Sequence, residues 1–354
     1  MSTGWRSPLG CPRTHRCRPH RRGAGRCGGG SAITDDDYCA AGAVLTSADD
    51  AWVAELVLKV KEPVAEEYRF LRANLTLFTY LHLAANEPLV DALLSSGTTA
   101  FAYETVQPVD GSLPLLAPMS EVAGRMSVLV GGYHLLGSNG GRACVLAGVP
   151  GVRPAKVTVI GAGITGSNAV MQAVGAGADV TVLDISAARL RALDGIYRGR
   201  VKTLASGALE IERAAIEADL LIGAVLIPGQ KAPELVGIDL IEAMKPGSVL
   251  VDIAVDQGGC FAGTRPTTHD APTFTIGQSI MYCVANMPGA AAATSTPALT
   301  NATLPYVSTL AAHGVHQAVA NDPALARGLN TIAGTIANKA VAEAFPDLAA
   351  FDVD

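Results

Sequence analysis

The sequence predicts an α/β protein of two domains, each organised around a largely parallel sheet. Three observations predict it. At 354 residues the chain is long for a single hydrophobic core. Apolar runs of strand length alternate with helical stretches. Those runs are continuous rather than alternating in polarity, as strands covered on both faces are. The composition is that of a soluble globular chain, 49% hydrophobic and 16% charged. A net charge of -6 supports solubility and leaves no electrostatic footprint for nucleic acid or an anionic membrane.

Residues 1–30 stand apart from this pattern. They carry Arg6, Arg13, Arg16, Arg18, Arg21, Arg22 and Arg26 with Pro8, Pro12 and Pro19, and no carboxylate precedes Asp35. The segment has no apolar h-region of the kind a signal peptide needs. It is expected to be a disordered basic arm. Cys11, Cys17 and Cys27 lie near His15 and His20, but their spacing does not match a paired CxxC zinc site. The seven scattered cysteines read as reduced thiols.

From Ser31 the character changes. Residues 31–38 carry helix-capping candidates, and 54–60 (AELVLKV), 75–83 (LTLFTYLHL) and 99–103 (TAFAY) are strand-like, with helices expected over 64–73 and 87–95. A long helix is expected over 119–136. A second set of strands follows at 157–160, 179–183, 220–224, 248–253 and 281–284, with helical segments between them. The tail is expected to be helical over 294–310 and 324–345, with a turn around Gly314 and Pro323. The apolar stretch 157–183 is interrupted by Gly161, Gly163, Gly166, Gly175, Gly177 and Asp179, whereas a membrane span needs roughly 20 unbroken apolar residues.

That stretch carries the strongest local signal. Apolar residues 157–160 lead into Gly161-Ala-Gly163-Ile164-Thr165-Gly166, an apolar helix follows, and a second strand ends in Asp184. This is the context in which GxGxxG marks a dinucleotide site. Gly161 permits the tight turn, Gly163 lets a pyrophosphate approach the backbone, and Gly166 lets helix and strand pack closely. The helix N-terminus offers free N–H groups to the phosphates. Asp184 is suited to the adenosine ribose hydroxyls and repels a 2′-phosphate, favouring NAD over NADP, while Arg189 weakens that preference.

A nicotinamide enzyme acting on a 2-oxo or 2-amino acid also needs a cation for the substrate carboxylate, an acid/base to serve the carbonyl carbon, and a surface that places that carbon against C4 of the nicotinamide ring. Lys59 and Lys61 are the cation candidates, and a strand period puts both on one face. His82, between Leu81 and Leu83, is either a satisfied core histidine or a catalytic one. Asp256 follows the apolar strand and precedes Gly258-Gly259, while Asp252 competes for the same role from nearer the strand interior. The residues alone leave these alternatives open.

Longer motifs narrow them. LVLKVKEP (56–63), FTYLHLA (78–84), AYETVQ (102–107), LPLLAPMSEVAGR (113–125), VLVDIAVDQGGC (249–260) and YCVANMPG (282–289) resemble the alanine dehydrogenase family, in the family's order and over about nine-tenths of the chain. The related nicotinamide nucleotide transhydrogenase alpha subunit shares the fold but lacks the lysine–histidine context. The resemblance implies two Rossmann-like domains: a discontinuous substrate domain of residues 31–114 and 293–354, and an inserted NAD-binding, doubly wound parallel sheet over 115–292. It implies reversible oxidative deamination of L-alanine to pyruvate and ammonia with NAD, in the cytoplasm, as part of L-alanine catabolism, by a homohexamer.

By motif, Lys61 is implied to grip the substrate, His82 to exchange protons at its carbonyl, and Asp256 to act as the second acid/base. Implied NAD contacts are Ser120, the turn residues Gly161, Gly163, Ile164, Thr165 and Gly166, then Asp184, Arg189, Ser206, Val225 and Leu226. Ile253, Ala254, Val255, Asp256 and Arg265 follow, with Val284, Ala285, Asn286 and Met287. Two departures are visible. The family binds the substrate carboxylate with an arginine in an RVAITP-like run, and no arginine of this chain sits in one. An NAD-binding but catalytically impaired protein is therefore the alternative expectation. Some members also carry Glu and His four apart on a late helix as a metal pair. Thr309 and His313 stand here, so no metal is expected.

Overall fold

The computed structural model describes residues 16–17, 29–225 and 232–348. The chain forms two compact units, one of residues 1–118 and 292–354, the other of 119–291. Leu226 and most of the basic segment 1–30 lie outside the described residues. Within that segment Arg16–Cys17 pairs in parallel with Val44–Leu45.

In the first unit, Thr34 starts the helix Asp35–Ala40 through a capping box: its hydroxyl accepts from the Asp37 amide at 3.1 Å and Asp37 accepts from the Thr34 amide at 2.7 Å. Strands β1 (Leu56–Leu58), β2 (Thr76–Thr79) and β3 (Thr99–Ala102) run parallel. Helix α1 (Glu87–Ser96) crosses between β2 and β3, capped by the Asn86 side chain and ended by Gly97 at φ 67°. Both strand ends fall short of the sequence expectation. β1 stops at Leu58, so Lys59 and Lys61 are not strand neighbours on one face. β2 stops at Thr79, leaving His82 beyond the sheet. The helical expectation over 64–73 is met by the 3-10 helix Ala65–Phe70.

The inserted unit begins with α2 (Ala117–His134), whose first two residues belong to the first unit. Its strands are β4 (Lys156–Ile160), β5 (Asp179–Asp184), β6 (Val201–Ala205), β7 (Leu220–Gly223), β8 (Val249–Asp252), β9 (Thr273–Ile276) and β10 (Ser279–Tyr282). Among the described residues they form one seven-stranded sheet of order β9-β10-β8-β7-β4-β5-β6, parallel except for the edge strand β9. The order reverses between β4 and β7, the place where such sheets bind ligands. Side chains alternate between two covered faces. Val157, Val159, Val180, Val182, Leu220 and Ile222 pack on one side; Ile160, Leu183, Leu221, Leu250 and Met281 pack on the other. Two-sided burial produces the continuous apolar runs. β6 and β9, at the two edges and partly exposed, lack that signature and were not expected from sequence.

The chain then returns to the first unit. Helix α3 (Ala292–Asn321) is interrupted at Gly314, whose φ of 70° and ψ of 171° are not helical. The tail departs from the helical expectation after Gly328. Leu329–Ile332 (β11) and Thr335–Ile336 (β12) form a hairpin, and β11 lies antiparallel to β3, giving the sheet order β12-β11-β3-β2-β1. Ala333 at φ 49° and Gly334 at φ 81° make the tight turn. Leu329, Asn330 and Thr331 are buried, so completing the sheet outweighs the helical pattern read through this stretch. Among the described residues no helix is long and apolar enough to cross a membrane.

Candidate functional site

The first unit gathers its candidate groups at the carboxyl ends of β1 to β3. Lys59 is held by Glu67, by the carbonyl of Glu62 at 3.1 Å, and over the Trp52 ring at 5.7 Å. Glu67 is buried and also accepts from the Val64 amide. Lys59 is thus a structural cation. Lys61 is more exposed and lies 3.7 Å from a Glu62 carboxylate oxygen, too far for a hydrogen bond. Its ammonium is the better placed of the two to meet a ligand carboxylate.

His82 is not a satisfied core histidine: its side chain is 40% exposed. The buried Tyr80 ring lies parallel to it, 6.0 Å between centroids, and the Tyr80 hydroxyl donates to the Leu115 carbonyl at 2.6 Å. Burial pushes the phenols of Tyr80 and Tyr103 far up, so neither exchanges protons at neutral pH. The His82 backbone is left-handed, φ 49° and ψ 42°, a conformation costing a non-glycine residue about 1–3 kcal/mol. Glu104 offsets it. One carboxylate oxygen accepts the amides of His82 at 2.6 Å and Leu81 at 3.1 Å, and a charge-assisted bond contributes about 1.5–3 kcal/mol. Glu104 belongs to the AYETVQ motif, but no spacing rule in the sequence connects it to His82.

The second cluster sits at the carboxyl edge of the seven-stranded sheet. Gly161 has φ 106°, and a Cβ there would lie 2.6 Å from the Ala224 carbonyl oxygen. A Cβ on Gly166 would lie 1.7 Å from the Gly161 carbonyl oxygen, so helix Ile164–Gly175 rests on the turn. Gly163 differs: nothing lies within 4 Å of where its Cβ would be. Open space at the N-cap of helix Ile164–Gly175 is what a pyrophosphate cradle requires. Ile164 is exposed and Thr165 half-buried beside it. Ser120 lies one turn before Gly124, where a Cβ would come 2.1 Å from the Thr165 carbonyl oxygen; α2 therefore packs its backbone directly on the glycine turn. Arg125 ties the two helices together, donating to Asn168 at 2.9 Å.

Asp184 ends β5, buried, accepting from Ala162 at 2.6 Å and Ser186 at 2.7 Å. Arg189 lies 3.7 Å away and is exposed, and the Ser206 amide donates to the Asp184 carbonyl. Val225 follows β7. Ile253, Ala254, Val255 and Asp256 follow β8, and Val284, Ala285, Asn286 and Met287 follow β10. Asn286 has a left-handed φ of 56°. Arg265 stacks over Phe274 at 4.5 Å, on a segment that pairs with Val284 through Thr267. The donors and the open cradle fit a dinucleotide.

Asp252 and Asp256 divide their roles clearly. Asp256 is exposed on the 3-10 turn Val255–Gln257. Asp252 is fully buried and accepts from the amides of Ala254, Cys260 and Phe261 and from the Thr264 hydroxyl. Burial pushes its carboxyl above the usual range, and the accepted hydrogen bonds pull against that. Asp252 therefore clamps the loop that carries Asp256. Cys260 and Cys283 are buried and pushed up to about 12, so they stay protonated. Among the described residues no three His, Cys, Asp or Glu side chains group as a metal would need.

Comparison with known proteins covers most of the chain. Residues 22–123 match the family description "Alanine dehydrogenase/PNT, N-terminal domain", and 127–339 match "Alanine dehydrogenase/PNT, C-terminal domain". The chain belongs to the alanine dehydrogenase/PNT family. The alanine dehydrogenase of Mycolicibacterium smegmatis is 59% identical over 318 residues, covering 89% of this chain and 86% of the relative. That of Halomonas elongata is 56% identical over 321 residues, 90% and 86% of the two chains. A solved L-alanine dehydrogenase superposes with a TM-score of 0.87 at 50% identity, over 91% of this chain and 89% of that one. A transhydrogenase from Sinorhizobium meliloti follows at 0.75 and 26%, over 89% and 88%. The family resemblance read from the motifs is thereby borne out.

Proposed function

We propose that the protein catalyses the reversible, NAD-dependent oxidative deamination of L-alanine to pyruvate and ammonia. The observation that carries this reading is the 59% identity to an alanine dehydrogenase over 89% of the chain. The glycine turn with its open cradle at Gly163 and the buried Asp184 support NAD as the coenzyme.

In this reading residues 31–114 and 293–354 form the substrate domain and 115–292 the NAD-binding domain. NAD, when bound, supplies the acceptor for the hydride leaving the substrate α-carbon. The amides at the start of helix Ile164–Gly175 hold the pyrophosphate, and Asp184 holds the adenosine ribose. Ser120, Arg189, Ser206, Val225, Leu226, Arg265 and the loops 253–256 and 284–287 complete the coenzyme contacts. Lys61 holds the substrate carboxylate. His82 exchanges a proton at the oxygen of the pyruvate carbonyl, and Asp256 serves as the second acid/base. The reading extends to a homohexamer acting in the cytoplasm in L-alanine catabolism, and light scattering on the purified protein tests the hexamer.

One observation favours a second reading, NAD binding with impaired turnover. Among the described residues of the first unit from Ala32 onward, each arginine is engaged elsewhere. Arg69 pairs with Asp49 and covers Phe70, Arg72 donates to the carbonyls of Trp52, Val53 and Ala54, and Arg327 donates to that of Gln107. The substrate carboxylate is then left to Lys61. The deciding experiment follows NADH formation from L-alanine at alkaline pH, and NADH consumption with pyruvate and ammonium. Turnover at an ordinary dehydrogenase rate establishes the first reading; NADH binding without turnover establishes the second. In an active enzyme His82→Ala and Asp256→Asn each lower kcat at least about a hundredfold, with NADH affinity retained in the first and mostly retained in the second, whose side chain belongs to the coenzyme loop.

A further inference from the structure

We propose that Glu104 is the positioning residue for His82, acting through the backbone rather than through the imidazole. The inference rests on the reading of His82 as the proton-exchanging group. His82 lies three residues beyond the end of β2, outside any strand or helix, in a left-handed conformation that needs an external partner to hold it. Glu104 comes from the neighbouring strand end, immediately after β3, on the 3-10 turn Tyr103–Thr105. Its Oε1 receives both the His82 amide at 2.6 Å and the Leu81 amide at 3.1 Å; Oε2 adds a longer contact to Leu81 at 3.3 Å. The nearest imidazole nitrogen, Nδ1, is 4.0 Å from Oε1. That is beyond hydrogen-bonding distance, so the carboxylate directs the ring by fixing its main chain.

The carboxylate has little freedom to do otherwise, since its side chain is 15% exposed. The Tyr80 ring then defines the plane on which the imidazole lies. Tyr80, Leu81 and Leu83 anchor this segment by burial, and the pair of amide bonds stitches the main chain at His82 to the β3 terminus. A proton-exchanging group needs this kind of constraint, because a displacement of about 1 Å costs on the order of a hundredfold in rate.

The clamp depends on an acceptor oxygen at one place more than on the charge that strengthens its bonds. Glu104→Gln keeps an oxygen at the Oε1 position and is expected to hold kcat within about fivefold of the parent. Glu104→Asp keeps the charge but draws the acceptor back by one methylene, and Glu104→Ala removes it. Both are expected to lower kcat about thirtyfold or more, with KM for NAD and the NADH dissociation constant unchanged. In a His82→Ala background, Glu104→Ala is expected to add less than a twofold loss, a non-additivity that a general loss of stability would not produce. Wild-type turnover in Glu104→Ala or Glu104→Asp, an active Asp variant beside an inactive Gln variant, or full additivity with His82→Ala would overturn the positioning role. If Glu104→Ala does not fold, the Gln and Asp pair decides alone. Wild-type turnover in His82→Ala itself would overturn the assignment of His82, and the proposal with it. An inactive His82→Ala beside a fully active Glu104→Ala overturns the positioning role only.

Discussion

Replacing Asp252 by asparagine keeps the size of this buried side chain while removing its charge and one of its acceptor positions. The wild-type carboxylate receives the Ala254 amide at 3.1 Å on Oδ1, and the Cys260 amide at 2.8 Å, the Phe261 amide at 3.3 Å and the Thr264 hydroxyl at 2.7 Å on Oδ2. Asparagine places an NH2 donor at one of these positions. With the nitrogen at Oδ1 only the Ala254 amide is orphaned; with it at Oδ2 two amides are, so the first orientation is preferred. An orphaned buried amide costs about 1–3 kcal/mol, and the three remaining bonds lose their charge assistance. Burial outweighs the accepted bonds at this carboxyl, so relief from burying the charge offsets the lost charge assistance. The net expectation is the cost of the orphaned amide, a destabilisation of about 1–3 kcal/mol, read from urea unfolding of the wild type and variant by circular dichroism. The pH dependence has a definite sign. Because the folded carboxyl titrates above its ordinary 3.8, its contribution to stability falls as pH rises from that value through the folded one. The wild type's margin over the variant is therefore largest on the acid side of this window. A change of less than about 0.5 kcal/mol, the ordinary scatter of neutral surface substitutions, would show that the loop is not held by this carboxylate.

Three further outcomes follow from the geometry. Lys61→Met is expected to raise KM for L-alanine and pyruvate at least about tenfold with an unchanged melting temperature, whereas Lys59→Met, which breaks the pairing with buried Glu67, is expected to cost about 3 kcal/mol of stability. Steady-state kinetics beside thermal melts separate the two, and the opposite pattern would exchange their roles. Gly166→Ala drives a Cβ to 1.7 Å from the Gly161 carbonyl oxygen and is expected to weaken NADH binding at least about tenfold by calorimetry, so equal affinity would argue against the turn as the coenzyme cradle. Burial opposes ionisation of Asp219, but the Lys156 amide, Lys245 and Arg142 outweigh it and hold the carboxyl below its ordinary 3.8. Its contribution is present above 3.8 and lost as pH falls through the depressed value, so Asp219→Asn is expected to flatten the acid limb of a stability–pH curve.

Much of this molecule is determined locally and is legible without coordinates. The glycine turn at 161–166 and the strands around it are specified by close neighbours in sequence: a positive φ at Gly161, contact between Gly166 and the turn, and apolar runs covered on both faces. The same holds for the capped helices Asp35–Ala40 and Glu87–Ser96. Tertiary structure alone decided what depends on a distant partner. Residues 329–336 carry a pattern that also reads as helix, and they become a hairpin because β3, more than 200 residues earlier, offers an open edge. Lys59 and Lys61 are indistinguishable by period until Glu67 and Trp52 claim the first. Asp252 and Asp256 look equivalent along the chain until four donors converge on one of them and leave the other exposed. His82 is separated from Glu104 by 22 residues, and only the parallel pairing of β2 with β3 brings that carboxylate to its amide. Short-range steric and capping rules act within one turn or strand; which charge is satisfied and which remains available is set by contacts across the sheet.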